Sequence, residues 1–147
     1  MITLRDLYAE GFPSVEDVGF LYRLLLERRP IESISHSTMP TVRQHTEFVN
    51  SKPYAMWFIV YEFAQRVGTV NLTNRNEIGI AVVGDRRHQG IGSKALRLFI
   101  ETHRPLRAEP SVRPGHFLAN INPENVASRR LFEEAGFRLK QVTYQLP

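Results

Sequence analysis

Arg87-His88-Gln89-Gly90-Ile91-Gly92, followed further along by Asn125-x-x-Ser128-x-x-Leu131-Phe132-x-x-x-Gly136-Phe137, is the pair of stretches on which the reading of this chain turns. Glycines at 90 and 92 permit positive φ and let the backbone approach a ligand closely. A helix that begins there points its unpaired amides and its positive dipole end at the loop, so a pyrophosphate is the natural occupant. Arg87 can add a charge-assisted contact and Ser93 a hydroxyl donor. The plainer alternative is a helix start with two turn glycines and solvated arginines.

Working outward, Ser14-Val-Glu-Asp17 reads as a helix start, a capping hydroxyl followed by acids at the positive end of the dipole. Val18, Leu21 and Leu25 repeat at helical spacing until Arg28-Arg29-Pro30 stops the helix. A short second helix is predicted from Thr41 to Val49. Three strands should follow, Tyr54 to Tyr61, Val67 to Thr73 and Glu77 to Val83, rich in β-branched and aromatic residues. Their short gaps suit antiparallel hairpins. A helix from Gly90 to His103, an irregular proline-punctuated crossover from Arg104 to Gly115, a strand from His116 to Ile121, a helix from Asn125 to Ala135 and a last strand from Phe137 to Leu146 complete the chain. Gly136 should cap the last helix. A short strand at Ile2 to Leu7 gives an α/β (α+β) order, with a mixed, mostly antiparallel central sheet covered by helices.

The chain has 147 residues, a length that fits one domain, so residues 1–147 are expected to form a single unit. Its 42% hydrophobic and 10% aromatic content is ordinary for a globular protein, which excludes a disordered chain. There is no cysteine, so disulfide scaffolds, thiolate metal sites and a cysteine nucleophile are excluded by inventory. No leader pattern and no long apolar run occurs, and a cytoplasmic location without membrane contact is the expectation. The net charge of +4 comes as scattered pairs, Arg28-Arg29, Arg86-Arg87 and Arg129-Arg130. Such an excess is usually solvated surface and also suits a small polyanion, whereas nothing in it forms a nucleic-acid motif.

In this order and spacing the two motifs resemble the GNAT superfamily of acyl-CoA-dependent N-acyltransferases, over roughly Tyr54 to Gln145. The resemblance implies a GNAT-like fold and an acetyl-CoA co-substrate with no metal. It implies that Ile80, Ala81 and Val82 lie on the strand whose backbone pairs with the pantetheine arm, and that Arg87, His88, Gln89, Gly90, Ile91, Gly92 and Ser93 hold the pyrophosphate. Strands Glu77 to Val83 and His116 to Ile121 would run parallel and splay to admit the thioester. A backbone amide near Val82 would polarise the acetyl carbonyl. Asn125 matches the family asparagine that contacts the cofactor arm, with Ser128 and Arg129 near it on the same helix. Asn125 is equally a plausible helix cap after Pro123, and Leu131 and Phe132 are core residues under either reading. Gly90-Ile-Gly92-Ser-Lys-Ala95 also satisfies a G-x-G-x-x-A dinucleotide pattern. That fingerprint follows a strand directly and opens a doubly wound sheet, for which too little chain follows Gly92.

One position departs from the family pattern. Many members carry a tyrosine seven residues after the asparagine, placed to protonate the departing thiolate, and here that residue is Phe132, which has no proton to give. For the base, Glu77 is the first candidate, since Glu77-Ile-Gly-Ile80 resembles a common family arrangement; an exposed strand-end carboxylate is the alternative. His36 and His45 are weaker alternatives for the base and candidates for contact with the acceptor. The stretch Ile34-Ser-His36 with His45-Thr-Glu-Phe48 is similar to a subgroup acting on nucleotide-linked amino sugars. An amino sugar is therefore the preferred small-molecule acceptor, ahead of a protein N-terminus, a lysine side chain or a polyamine. A CoA-binding regulatory domain without chemistry is the competing reading that Phe132 encourages. A monomer or a homodimer suits either.

Overall fold

Ser14 opens the first helix as its chemistry predicts: its side chain accepts from the Asp17 amide, and helix α1 runs over Val15–Leu26. Thr41 does the same for α2, Val42–Asn50, through a reciprocal capping box with Gln44. The computed structural model describes residues 1–28 and 38–147 of the chain. The expected contact residue His36 lies outside the described residues.

Strand β1, Ile2–Asp6, pairs antiparallel with β2, Met56–Glu62. That strand pairs with β3, Gln65–Leu72, and β3 with β4, Ile78–Val82, all antiparallel and in the spatial order β1-β2-β3-β4. A single turn of 3-10 helix over Gly84–Arg86, which the sequence reading did not anticipate, leads into α3, Ile91–Thr102. The last helix, α4, spans Val126–Glu134.

Alternation along the strands sends side chains to two faces. On one, Leu7, Trp57, Ile59 and Val83 pack with Phe20, Leu21 and Leu24 of α1 and Val49 of α2. On the other, Phe58, Val60, Val70, Leu72 and Ile78 pack with Ile91, Ala95, Leu96 and Phe99 of α3 and Phe132 of α4. Each fully buried side chain of this size contributes roughly 1.5 to 3 kcal/mol. A carboxylate sits inside the first layer. Asp17 is 1% exposed and is held by Arg5 and by Arg66, whose Nε donates at 2.8 Å. Burial alone would raise the Asp17 carboxyl, but the hydrogen bonds from Arg66 and Arg5 outweigh it and hold the group below its ordinary value.

Two expected strands are not strands. The segment from His116 to Ile121 meets β4 through one isolated parallel bridge, Glu77 to Leu118, and makes no longer ladder. The segment from Phe137 to Leu146 joins no strand ladder, and Leu139, Val142, Tyr144 and Leu146 are exposed. Alternating apolar residues supply β-propensity, but a strand exists only where a neighbouring edge accepts its hydrogen bonds.

Candidate functional site

The register of β4 decides which of its backbone groups are open. Thr73 donates its amide to the Glu77 carbonyl and Val83 donates to the Val67 carbonyl, so odd-numbered residues from 77 to 83 turn their backbone groups toward β3. Even-numbered residues turn theirs outward. The Ile78 amide accordingly donates to the Leu118 carbonyl at 2.8 Å, and the Leu118 amide returns a bond to the Asn76 carbonyl. Beyond that bridge the two segments pair no further, and Ile80 and Val82 face an open edge. Of the three residues expected to line this strand, Ala81 points its backbone inward to β3, while its side chain packs on the α1 and α2 face. The Val82 carbonyl receives the Arg87 Nε at 3.4 Å.

At the far end of this edge, α3 begins. Gly90 is its N-cap, at φ +78° in the left-handed region, and supplies no side-chain cap. Helices α1, α2 and α4 are all capped by a side-chain oxygen, from Ser14, Thr41 and Asn125. The first bond of α3 runs from the Lys94 amide to the Gly90 carbonyl, so the amides of Ile91, Gly92 and Ser93 stand ahead of it with no side chain covering them. The two glycines differ in purpose. A Cβ at Gly90 would meet nothing within 4 Å, whereas one at Gly92 would come within 2.8 Å of Leu131 Cδ1. Gly90 supplies conformation and open space; Gly92 lets α3 approach α4. The expectation that both glycines serve ligand approach is thus divided by the packing.

The loop before α3 is anchored from outside. Arg86 bonds to Glu62, Gln65 and Gln89, tying the loop to the β2 and β3 hairpin. Glu27 at the end of α1 accepts from the Gly84 amide at 3.0 Å. His88 is exposed at φ +63°, with Gln89 exposed beside it. On α4, Asn125 is buried and its Oδ1 accepts from the Ser128 amide at 3.1 Å, so the capping role is real. Its Nδ2 has no partner among the described residues. Ser128 is half-buried, and Arg129 reaches back to the Pro123 carbonyl at 3.3 Å. Phe132 is 5% exposed and packs edge-on against Phe137 at 5.1 Å, a core position.

Glu77 lies where β4 meets the Leu118 segment, on the face that carries α1 and α2. Thr73 Oγ1 donates to its Oε1 at 3.0 Å and Asn120 Nδ2 donates to its Oε2. Each carboxylate oxygen keeps a lone pair for a further donor such as water. The turn beneath is built by Asn76, fully buried at φ +66°, whose carboxamide bonds Leu106 twice over, to its carbonyl and from its amide, and the Pro114 carbonyl. That residue pins the proline-rich crossover under the site. The sequence signal was present, since asparagine tolerates the left-handed region, but a turn asparagine does not announce a tertiary partner. Asn120 fell inside the expected strand from His116 to Ile121, and its bond to Glu77 has no local signal.

His45 is 3% exposed, on the inner side of α2, with its ring 5.3 Å from that of Tyr22. Burial lowers its tendency to protonate, opposed by a hydrogen bond with the Val18 backbone, and its Nε2 is buried without a partner. Among the described residues no group of three or more His, Cys, Asp or Glu side chains could hold a metal ion. No described helix is long and apolar enough to cross a membrane.

Comparison with known proteins bears on this arrangement. The model of the acetyltransferase (GNAT) domain family matches residues 13–138. No curated protein sequence matches the chain. Among solved structures, the fold resembles spermidine N-acetyltransferase from Vibrio cholerae in complex with CoA and spermine, at TM-score 0.70 and 17% identity over 95% of this chain and 82% of that one. It also resembles a domain from Methanocaldococcus jannaschii, at TM-score 0.69 and 19% identity over 96% and 90% of the two chains. An acetyltransferase from Thermus thermophilus aligns at TM-score 0.66 and 15% identity over 94% and 87%.

Proposed function

Because the chain belongs to the acetyltransferase (GNAT) domain family and is an acetyl-CoA-dependent N-acetyltransferase, we propose that it is a single-domain enzyme acting on a small hydroxylated amine, an amino sugar being the first choice. The observation that carries the proposal is the uncapped start of α3 at the end of the open β4 edge.

The residues present fit acetyl-CoA. The amides of Ile91, Gly92 and Ser93 suit a pyrophosphate, with Arg87, His88 and Gln89 in the same loop, and the bare Gly90 leaves room for it. The outward backbone groups of Ile80 and Val82 suit a pantetheine arm, with Ala81 supporting the strand from within. Across the splay, Asn125 Nδ2 is the donor toward that arm, and Ser128 and Arg129 lie one turn on. Acetyl-CoA supplies an acetyl thioester, whose carbonyl carbon the acceptor amine attacks directly.

The chain's own groups then have defined tasks. The outward Val82 amide is the donor positioned for oxygen charge that develops during attack. Glu77, oriented by Thr73 and Asn120, holds the water that takes the proton from the amine. A lysine-like amine costs roughly 4 to 5 kcal/mol to neutralise at pH 7, and one resembling an α-amino group about 1 to 1.5, so a positioned water suffices for the second kind. Phe132 gives no proton, and the leaving thiolate is protonated by solvent. His45 is assigned to shaping the acceptor side through the packing of α2 on α1, and His36 to contact with the acceptor.

A polyamine is the second reading, because the Vibrio cholerae enzyme of similar fold is a spermidine N-acetyltransferase bound to spermine. The side chains that bond Glu77, Thr73 and Asn120, are neutral, which suits hydroxyls better than a chain of ammonium groups. The test is a thermal-shift and turnover screen. Acetyl-CoA at a hundredfold excess over Kd should stabilise by about 2.7 kcal/mol, and NADH should not. Turnover should follow with amino sugars before spermidine. Stabilisation by NADH and not by acetyl-CoA would refute the assignment.

A further inference from the structure

We propose that Asn71 is an acceptor-binding residue, whose carboxamide lies over the bare α-carbon of Gly79 on the Glu77 face of the sheet and hydrogen-bonds a hydroxyl of the acceptor. This inference rests on the acetyltransferase reading above.

Asparagine is a poor strand former, and Asn71 stands in a central strand between β2 and β4, opposite Trp57 on one side and Gly79 on the other. All three side-chain positions share the face that carries α1 and α2. A Cβ at position 79 would lie 2.9 Å from Asn71 Oδ1 and 3.1 Å from its Nδ2, so only glycine leaves the carboxamide where it is. The neighbouring polar side chains of this face are spoken for: Trp57 Nε1 donates to Thr69 Oγ1, which donates to the Phe58 carbonyl, and Thr73 bonds Glu77. The Asn71 carboxamide has no partner among the described residues, and the residue is half-buried. The carboxamide is not sealed from solvent, so a ligand hydroxyl can take the place of water on it.

Position along the strand gives the direction. Gly79 follows Glu77 by two residues and precedes Ala81 by two, so the carboxamide lies one side-chain step along β4 from the carboxylate, on the β3 side of that strand. An amine addressed by the Glu77 water would thus carry its adjacent substituent to Asn71. A carboxamide both donates and accepts, as a hydroxyl does, whereas an ammonium only donates. The pairing of Glu77 with Asn71 is therefore matched to a vicinal amino alcohol, the unit found in amino sugars.

The test compares kcat/KM for a 2-amino sugar with that for cyclohexylamine, an amine of similar ring size without hydroxyls, in the wild type, Asn71→Leu and Gly79→Ala. Each variant is first shown to bind acetyl-CoA as the wild type does, which confirms folding. The preference for the amino sugar should fall about tenfold in Asn71→Leu, chiefly through KM, and Gly79→Ala should follow it by displacing the carboxamide. An unchanged preference in Asn71→Leu would overturn the role of Asn71 and leave the acetyltransferase reading standing. No wild-type turnover of either amine would overturn the role of Asn71 together with the amino-sugar acceptor.

Discussion

A side chain at Gly92 would stand 2.8 Å from Leu131 Cδ1, so the second glycine of the loop and the leucine of the second motif are packing partners across α3 and α4. The two stretches that identify the chain are thus in contact.

The first expectation separates the glycines. Gly92→Val should destabilise by about 1 to 3 kcal/mol, because the added methyls meet Leu131 and Val82. Gly90→Ala should destabilise by only about 1 kcal/mol, through its positive φ, and should weaken acetyl-CoA binding more than its stability loss suggests. Denaturant unfolding and calorimetric titration of both variants check this. Equal stability losses would contradict the packing role of Gly92.

His45 should make stability depend on pH near neutrality. Burial holds its imidazole below the ordinary value of 6.5, so the unfolded chain takes up a proton at higher pH than the native one. Stability is then fully present above about pH 6.5 and falls as pH drops through the window below it, at up to about 1.4 kcal/mol per unit. Thermal melts of the wild type and His45→Gln between about pH 7.5 and 5.5 should show a steeper fall in the wild type. Parallel profiles would remove His45 as the titrating group.

Asp17 titrates in the same sense as His45, in a more acidic window. Its folded value is depressed by Arg66 and Arg5 despite burial, so its contribution is present above about pH 3.8 and lost in acid. Asp17→Asn should lower stability at neutral pH by about 2 to 3 kcal/mol, since two charge-assisted bonds weaken around a buried group. The difference should shrink toward pH 3 in urea titrations. A pH-independent difference would assign the loss to packing instead.

Glu77→Gln keeps the shape that Thr73 and Asn120 hold and removes the charge. If the carboxylate orders the proton-accepting water, kcat should fall about 10- to 100-fold with acetyl-CoA affinity unchanged. An unaltered rate across pH would leave Glu77 as a structural residue at the β4 bridge.

What was legible in the sequence followed local chemistry. Ser14, Thr41 and Asn125 cap helices because their side chains reach the next turn, and the three hairpin strands follow from alternation and short gaps. The glycine loop was legible as a helix start. What escaped depends on partners far along the chain. The residues from His116 to Ile121 and from Phe137 to Leu146 have strand composition but find one bridge and no ladder respectively. Asn76 read as a turn residue and Asn71 and Asn120 as strand residues, and only tertiary contacts set Asn76 beneath Glu77, Asn120 beside it and the Asn71 carboxamide over Gly79. His45 was a candidate for acceptor contact; helical spacing sets it on one face with Val49, and the packing of α2 on α1 buries it against Val18 and Tyr22.

The most direct test is initial-rate kinetics with acetyl-CoA and an amine both varied, with the product identified by mass spectrometry. Direct transfer in a ternary complex, in a chain with no cysteine, requires intersecting lines, an N-acetylated acceptor and unmodified protein. Parallel lines, together with a protein acetylated by acetyl-CoA alone, would contradict it.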